Sequence, residues 1–375
     1  MVKILYIDSA LAIYGGIERV WVDKMNWLVE NSDANVYFLT TDQGCHPLVY
    51  PLSTKVNHHD LGILFQQIYR HPKWKRFHIA YKLHKLFRCR LAEFVQLHSP
   101  DIVICARINL VSDVKKVCGG IPLVFESHNT YLAYKFGNDG WVRRWQYQHW
   151  YRILKKVGMV VSLTNGDMAE WRRLTPRVQV IPNVVHLNTT GQTSDCQAKN
   201  VIFVGRYSQQ KDIPTLLQIW KKVNRRYPDW RLHLFGGYGE LGDRLKREIS
   251  RMDMNVVLHE PTPAIHEEFL KSSMLLMTSV YEPFGLVLPE AMSCGIPVVA
   301  FDCPYGPADI ISDGVDGFLI KNRDVDDYTE RVCQLIESRD LRLSMGKAGV
   351  RSSRRYTAES IMPRWEQLFK NMIES

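Results

Sequence analysis

The sequence predicts an α/β protein of two domains, each built on a mostly parallel sheet. Short apolar runs alternate with helical periodicity along the chain, which is the pattern of repeated βαβ units. The runs are almost continuously hydrophobic, as at residues 2–8 and Val298–Phe301, and this marks strands covered on both faces. At 375 residues and 46% hydrophobic content, the chain can fill two cores of ordinary size.

Composition excludes several classes. A charged content of 23% with a full range of aromatics rules out a disordered chain. No apolar run approaches the roughly 20 residues needed to span a bilayer. The apolar part of the N-terminus is too short for a signal peptide, meets Asp8 at once and reads as a first strand. The eight cysteines form no Cys-x-x-Cys pair and no cluster with histidine, so reduced, mostly buried thiols and a cytoplasmic location are expected. Charge is uneven. Residues 1–190 hold 24 Lys and Arg against 14 Asp and Glu, whereas residues 191–375 hold 24 against 25. A surplus confined to the first half points to an anionic partner, nucleic acid or an acidic membrane surface.

In chain order, strand 2–8 leads into Tyr14-Gly15-Gly16-Ile17-Glu18 and a helix. This loop lacks the Gly-x-Gly-x-x-Gly fingerprint, so no NAD site is assigned, and by itself Gly15-Gly16 reads as a tight turn. Strands follow at 35–41, 101–106 and 122–126, the last delivering Ser127-His128-Asn129 to a loop at a strand's carboxyl end. Two stretches carry the basic surplus. Residues 73–91 set Ile79, Leu83, Leu86 and Phe87 at helical spacing among Lys and Arg, and residues 141–156 interleave Trp141, Trp145 and Trp150 with Arg143, Arg144, Arg152, Lys155 and Lys156. Basic residues with aromatics on an amphipathic helix fit peripheral contact with an anionic membrane, and equally an ordinary helix with solvated charges. Strand 159–164 and helix 167–174 close the first domain, residues 178–185 lead out of it, and polar residues 188–200 read as a linker.

The second domain opens with strand 200–204, Gly205-Arg206 and then Lys211 before a helix, placing two cations at the sheet's carboxyl edge. Strand 231–235 ends in Gly236-Gly237-Tyr238-Gly239, whose glycines let backbone approach a base or ribose. Strands 256–258 and 274–278 precede Tyr281-Glu282-Pro283-Phe284-Gly285-Leu286-Val287-Leu288-Pro289-Glu290, a helix starting near Gly285 or Leu286, a stop at Gly295-Ile296-Pro297, and strand Val298–Phe301. The N–H groups of residues 284–287 are free at the helix start and favour a phosphate. Pro289 is tolerated in the first turn. Glu282 before that helix and Glu290 within it can each accept hydrogen bonds from hydroxyls, which suits a sugar nucleotide. Residues 313–319 read as a turn feeding a last strand, after which come three helices, the final one at 360–373.

The Glu-x7-Glu stretch, with Phe-Gly-Leu-Val inside it and Glu-Ala-Met-x-x-Gly-x-Pro-Val-Val behind it, resembles glycosyltransferase family 4, retaining enzymes of the GT-B fold. The resemblance is strong over residues 200–322 and thinner before them. It implies two Rossmann-like domains facing across a cleft: an acceptor-binding domain 1–187, a nucleotide-sugar domain 188–357, and a C-terminal helix 358–375 crossing back to the first. It implies transfer of a hexose-type sugar from a nucleoside diphosphate, UDP favoured over GDP, to a hydroxyl of a glycan or lipid-linked acceptor in bacterial capsule, exopolysaccharide or lipopolysaccharide synthesis. By resemblance Glu282 and His128 take sugar hydroxyls. Gly15, Gly16, Arg206 and Lys211 hold phosphates. Gly236, Gly237 and the N–H groups of Phe284, Gly285, Leu286 and Val287 line the donor, and Glu290 holds its ribose. No Asp-x-Asp motif lies in a suitable loop, and this fold needs neither metal nor other cofactor. The implied location is the cytoplasmic face of the inner membrane. Pro283, where many relatives have glycine, removes one N–H at the sugar. A nucleotide-sugar epimerase on the same fold and a non-enzymatic basic binding module are the competing readings. The near-neutral second domain argues against nucleic acid as the partner.

Overall fold

The computed structural model describes residues 1–132, 141–237, 242–252 and 254–375, without the side chains of residues 141–146, 243 and 244. The chain forms two compact units, Met1–Val184 with Ala358–Ser375, and Val185–Thr357.

In the first unit seven strands form one sheet: β1 (Lys3–Asp8), β2 (Asn35–Thr40), β3 (Asn57–Asp60), β4 (Ile102–Cys105), β5 (Leu123–Glu126), β6 (Met159–Ser162) and β7 (Val178–Val180). Their order is β3-β2-β1-β4-β5-β6-β7, and every pair is parallel. Between them run α1 (Gly16–Asn31), α2 (Lys73–His98), α3 (Val111–Cys118), α4 (Trp141–Leu154) and α5 (Asn165–Arg172). Alternate side chains of a strand point to opposite faces. Leu5 and Ile7 therefore join a core with Phe87 and Leu91 of α2 and Trp171 of α5. Ile4 and Tyr6 join another with Trp21 and Met25 of α1. The C-terminal helix Ala358–Ile373 belongs to this second core through Ile361, Met362, Trp365, Leu368 and Phe369.

In the second unit six parallel strands run in the order β10-β9-β8-β11-β12-β13: β8 (Asn200–Val204), β9 (Arg231–Phe235), β10 (Val256–His259), β11 (Met274–Met277), β12 (Val298–Phe301) and β13 (Gly317–Ile320). The helices are α6 (Ile213–Arg226), α7 (Gly242–Ile249), α8 (Ile265–Leu270), α9 (Val287–Ser293), α10 (Gly306–Ile310), α11 (Val325–Glu337) and α12 (Arg339–Ser353). Asp212 caps α6, accepting from the N–H of Thr215, with Pro214 in the first turn. The irregular residues before β8 are held to this unit, since Ser194 donates from its backbone to Cys294 (2.8 Å) and from its hydroxyl to Ser272 (2.7 Å).

Several expectations need correction. Two strands lie where the sequence predicts none. β3 reads Asn-His-His-Asp and is mostly exposed, as an edge strand can be, and β7 is three residues inside the segment expected only to lead out. The helix α1 begins at Gly16 itself, with Gly15 as its cap. The helix α9 begins at Val287, because Gly285 has φ +98°, outside the helical region, and Leu286 is its cap. In the second basic stretch Trp150 packs on the core, while Trp141, Arg143, Arg144 and Trp145 lie outside the described side chains. On α2, Phe87 is core, Leu83 packs against it, and Leu86 is exposed.

One buried ion pair ties the first unit's layers together. Lys24 of α1 donates to both oxygens of Glu126, at the end of β5, at 2.8 and 2.7 Å, and both side chains are 1% exposed. The ammonium also lies 3.5 Å from the centre of the Trp365 ring on the C-terminal helix. Burial opposes ionisation of Glu126, but Lys24 and the neighbouring His128 together outweigh it and hold the carboxyl at about 2. A carboxyl depressed in the fold stabilises at pH values above its unfolded pKa, and that contribution is lost as pH falls from about 4.5 toward 2. Removing one partner strands the other charge, so Lys24→Met should cost about 3–5 kcal/mol in chemical denaturation at neutral pH, and adding Glu126→Leu should restore most of it.

Candidate nucleotide-sugar site

The strand order reverses between β8 and β11 in the second unit, and ligands of open parallel sheets collect at the carboxyl edge of such a reversal. Both loops that leave this edge carry charge. After β8, the N–H of Gly205 bonds to Phe235 (3.0 Å), Arg206 is exposed, and a single 3-10 turn, Gln209–Lys211, brings the chain to α6. After β11, Thr278 donates its hydroxyl to the carbonyls of Lys211 and Asp212 (3.1 Å each). Val280 donates to Gln210 (2.8 Å), and the Gln210 side chain returns a bond to Tyr281 (3.0 Å). The two loops are thereby stitched edge to edge.

Glu282 sits at the centre of this stitching and is 4% exposed. Its Oε1 accepts from Lys211 Nζ (2.5 Å) and from Ser279 Oγ (2.6 Å). Its backbone is tied to the loop after β12: the N–H donates to Pro304 (2.6 Å), and the carbonyl accepts from Tyr305 and Gly306 (3.0 Å each). The loop that carries Glu282 is held from behind by Arg323, which donates to the Asp212 carboxylate (2.5 Å) and to the carbonyl of Ser279 (3.0 Å). A buried carboxylate needs such partners.

The other predicted residues of this unit gather around the same edge. Gly236 donates to His259 (3.3 Å), and a methyl there would meet the Gly205 carbonyl oxygen at 2.1 Å, so the two strand ends touch through bare backbone. Gly237 accepts from the N–H of Tyr207 (3.4 Å); Tyr238 and Gly239 lie outside the described residues. Phe284 is buried edge-on against Tyr356 (5.2 Å). Gly285, Leu286 and Val287 precede the first bonds of α9, Leu288 to Gly285 (3.0 Å) and Glu290 to Leu286 (3.2 Å). Glu290 is half-buried on the first turn, beyond Pro289.

Gly15, Gly16 and His128 belong to the first unit, near its own reversal between β1 and β4. Glu18 is buried beside Gly15, and burial raises its carboxyl above the usual range. Asp8, ending β1, pairs with Arg107, just beyond β4. His128 is buried; its Nε2 accepts the indole N–H of Trp21 (2.8 Å), and its Nδ1 is buried with no partner among the described residues. Sequence reasoning missed Trp21, Ser279, Asp212 and Arg323. Ser279 and Asp212 stand within three residues of predicted ones, but Trp21 and Arg323 gave no local signal. Among the described residues no three His, Cys, Asp or Glu side chains group as metal ligands.

Two doubly wound units, each with a cation–carboxylate pair at its strand reversal, define an α/β protein of two Rossmann-like domains. Two family models divide the chain between them: Glycosyltransferase Family 4 matches residues 14–189, and Glycosyl transferases group 1 matches residues 192–351. The chain belongs to glycosyltransferase family 4. It is 31% identical over 204 residues to an exopolysaccharide phosphotransferase of Streptomyces coelicolor, a match covering 54% of this chain and 21% of that protein. It is 33% identical over 199 residues to the amylovoran biosynthesis glycosyltransferase AmsD of Erwinia amylovora, covering 51% of this chain and 55% of that one. The chain thus aligns with about a fifth and about half of the length of these two curated relatives. A crystal structure of S. aureus TarM with fondaparinux, alpha-GlcNAc-glycerol and UDP superposes with a TM-score of 0.78 at 17% identity, over 98% of this chain and 100% of that one, which shows a shared GT-B fold.

The tightest point of the site is Gly306, where an added methyl would lie 1.8 Å from the Phe284 carbonyl oxygen. Gly306→Ala should cost about 1–3 kcal/mol by forcing the loops apart. Gly120→Ala, where a methyl meets nothing within 4 Å, should stay within about 0.5 kcal/mol. Denaturant titration of both variants measures the contrast.

Proposed function

We propose that the chain transfers a hexose-type sugar from a UDP-sugar to a hydroxyl of a glycan or lipid-linked acceptor in bacterial polysaccharide synthesis, with retention of anomeric configuration. The observation that carries this reading is the contact of Lys211 with Glu282 at the β8–β11 reversal. It joins a group that neutralises phosphate to a group that accepts sugar hydroxyls. An ammonium has three donors and Glu282 takes one, leaving others for a diphosphate. Arg206, exposed on the same loop after β8, adds a second cation, and together they stabilise the charge that grows on the leaving nucleotide without a metal. The N–H groups of Gly285, Leu286 and Val287 take phosphate oxygens, Glu290 the ribose, and Gly236 and Gly237 lie along the base or ribose. Gly15, Gly16 and His128 of the first unit keep the roles that the resemblance implies, phosphate for the glycines and a sugar hydroxyl for the histidine. The Oε1 atom of Glu282 is occupied by Lys211 and Ser279, which suits binding of hydroxyls better than nucleophilic attack. The reaction then runs on one face of the sugar, with the departing phosphate helping to deprotonate the acceptor. UDP in the TarM complex supports the choice of base.

The reading extends to a peripheral position on the cytoplasmic face of an anionic membrane. Trp74, Phe77 and Tyr81 are 77%, 85% and 59% exposed at helical spacing on α2, amid Lys73, Lys75, Arg76, Lys82 and Lys85. Rings held in water beside cations suit the lipid interface. No described helix is long and apolar enough to cross a membrane.

Thermal denaturation with UDP, GDP, ADP and TDP tests the donor site. UDP at 100 times its dissociation constant should add about 2.7 kcal/mol, and Glu290→Ala should reduce this; stabilisation by none of the four would sink the assignment. Release of UDP that depends on an added acceptor separates transfer from epimerisation, which needs none. For the membrane, the protein should co-sediment with anionic liposomes at low salt, and Trp74→Ala/Phe77→Ala should abolish this without changing UDP binding.

A further inference from the structure

We propose that Trp21 is a positioning residue that fixes the tautomer of His128, so that the ring offers an N–H rather than a lone pair to the substrate. The inference rests on the reading that His128 serves the transferred sugar.

Trp21 is fully buried on α1, held edge-on by Tyr6 (ring centres 5.0 Å) and flanked by Phe38 (6.0 Å). Its indole nitrogen lies 2.8 Å from His128 Nε2. Indole N–H donates and never accepts, so Nε2 must present its lone pair, and the proton of the neutral imidazole resides on Nδ1. A second neighbour asks for the opposite arrangement, because Glu126 Oε1 stands 3.2 Å from the same Nε2 and would accept a proton from it. The two demands are incompatible, and the indole prevails. The carboxylate is already met at both oxygens by Lys24, whereas the buried indole has His128 as its acceptor. A proton on Nε2 would set two N–H groups head to head at 2.8 Å.

The Nδ1–H that results is buried and has no acceptor among the described residues. A buried donor left unpaired is destabilising. A ligand oxygen relieves that cost, and a sugar hydroxyl oxygen has the required lone pairs. With the opposite tautomer, Nδ1 would need a hydrogen from the ligand instead. Trp21 thereby sets the sense of the hydrogen bond from the far side of the ring. Lys24 contributes by occupying the carboxylate that would otherwise compete for the ring proton.

The test is 15N NMR of histidine-labelled protein, with the His128 signals assigned by their loss in His128→Gln. The native protein should show a protonated Nδ1 and an unprotonated Nε2. Trp21→Phe should move the proton to Nε2, facing Glu126. Should that variant not fold, 3-benzothienylalanine at position 21 replaces the N–H by sulfur with nearly unchanged shape. A native ring protonated at Nε2, or a variant ring that keeps its proton on Nδ1, would overturn the proposal. UDP release from UDP-glucose and UDP-N-acetylglucosamine by the same variants should fall about tenfold in kcat, with KM little changed, for one lost hydrogen bond. A proton that moves with no change in turnover would uphold the control exerted by Trp21 and remove His128 from the sugar site.

Discussion

Every strand pair in both sheets is parallel, and the rest of the molecule follows from that constraint. A parallel sheet sends the loop after each strand out of the same edge, so chemistry placed at strand ends converges whatever its separation in sequence. Lys211 and Glu282 are 71 residues apart and meet because β8 and β11 are neighbours at the reversal. The loops there have no helix between them to fill the gap. Hydroxyls, backbone carbonyls and Arg323 close it instead, and this polar packing fixes the direction in which Glu282 projects.

Among the described residues, two lysine–glutamate pairs join distant parts of the chain and differ in what they can do. Lys24 and Glu126 are sealed at 1% exposure, and an aromatic ring covers the ammonium. Such a pair can only hold structure, since any exchange of partners would leave a charge in a medium that solvates it poorly. Lys211 and Glu282 keep 16% and 5% of their side-chain surface exposed. That opening leaves water in reach of the pair, so a change of partner there costs less than in the sealed one. The same chemistry is thus sealed in one unit and open in the other, and solvent access sets the difference.

Most of the architecture was legible because a strand of a covered parallel sheet is a short unbroken apolar run, and the runs at β1, β4, β11 and β12 are of this kind. β3 was not, since an edge strand of polar residues carries no such signature. Glu282, Lys211 and Glu290 were legible as a motif because glycines and prolines around them fix the backbone. Trp21 and Lys24 were not. On an amphipathic helix a tryptophan reads as core and a lysine as solvated, and nothing local announces that their partners lie 107 and 102 residues further on. Arg323 was hidden for the same reason. It is a surface-type residue with φ +69° whose side-chain hydrogen bonds reach back more than forty positions.

The C-terminal helix gives the chain an order of assembly. A core of the first unit is incomplete until Ile361, Met362, Trp365, Leu368 and Phe369 arrive, whereas the second unit ends at Thr357. On the ribosome, therefore, the half that is made first is finished last. Until then the apolar face that receives Trp365, and the Lys24 ammonium beneath it, lack their cover, and the nascent first unit is the part of this protein most exposed to misassembly or to a chaperone.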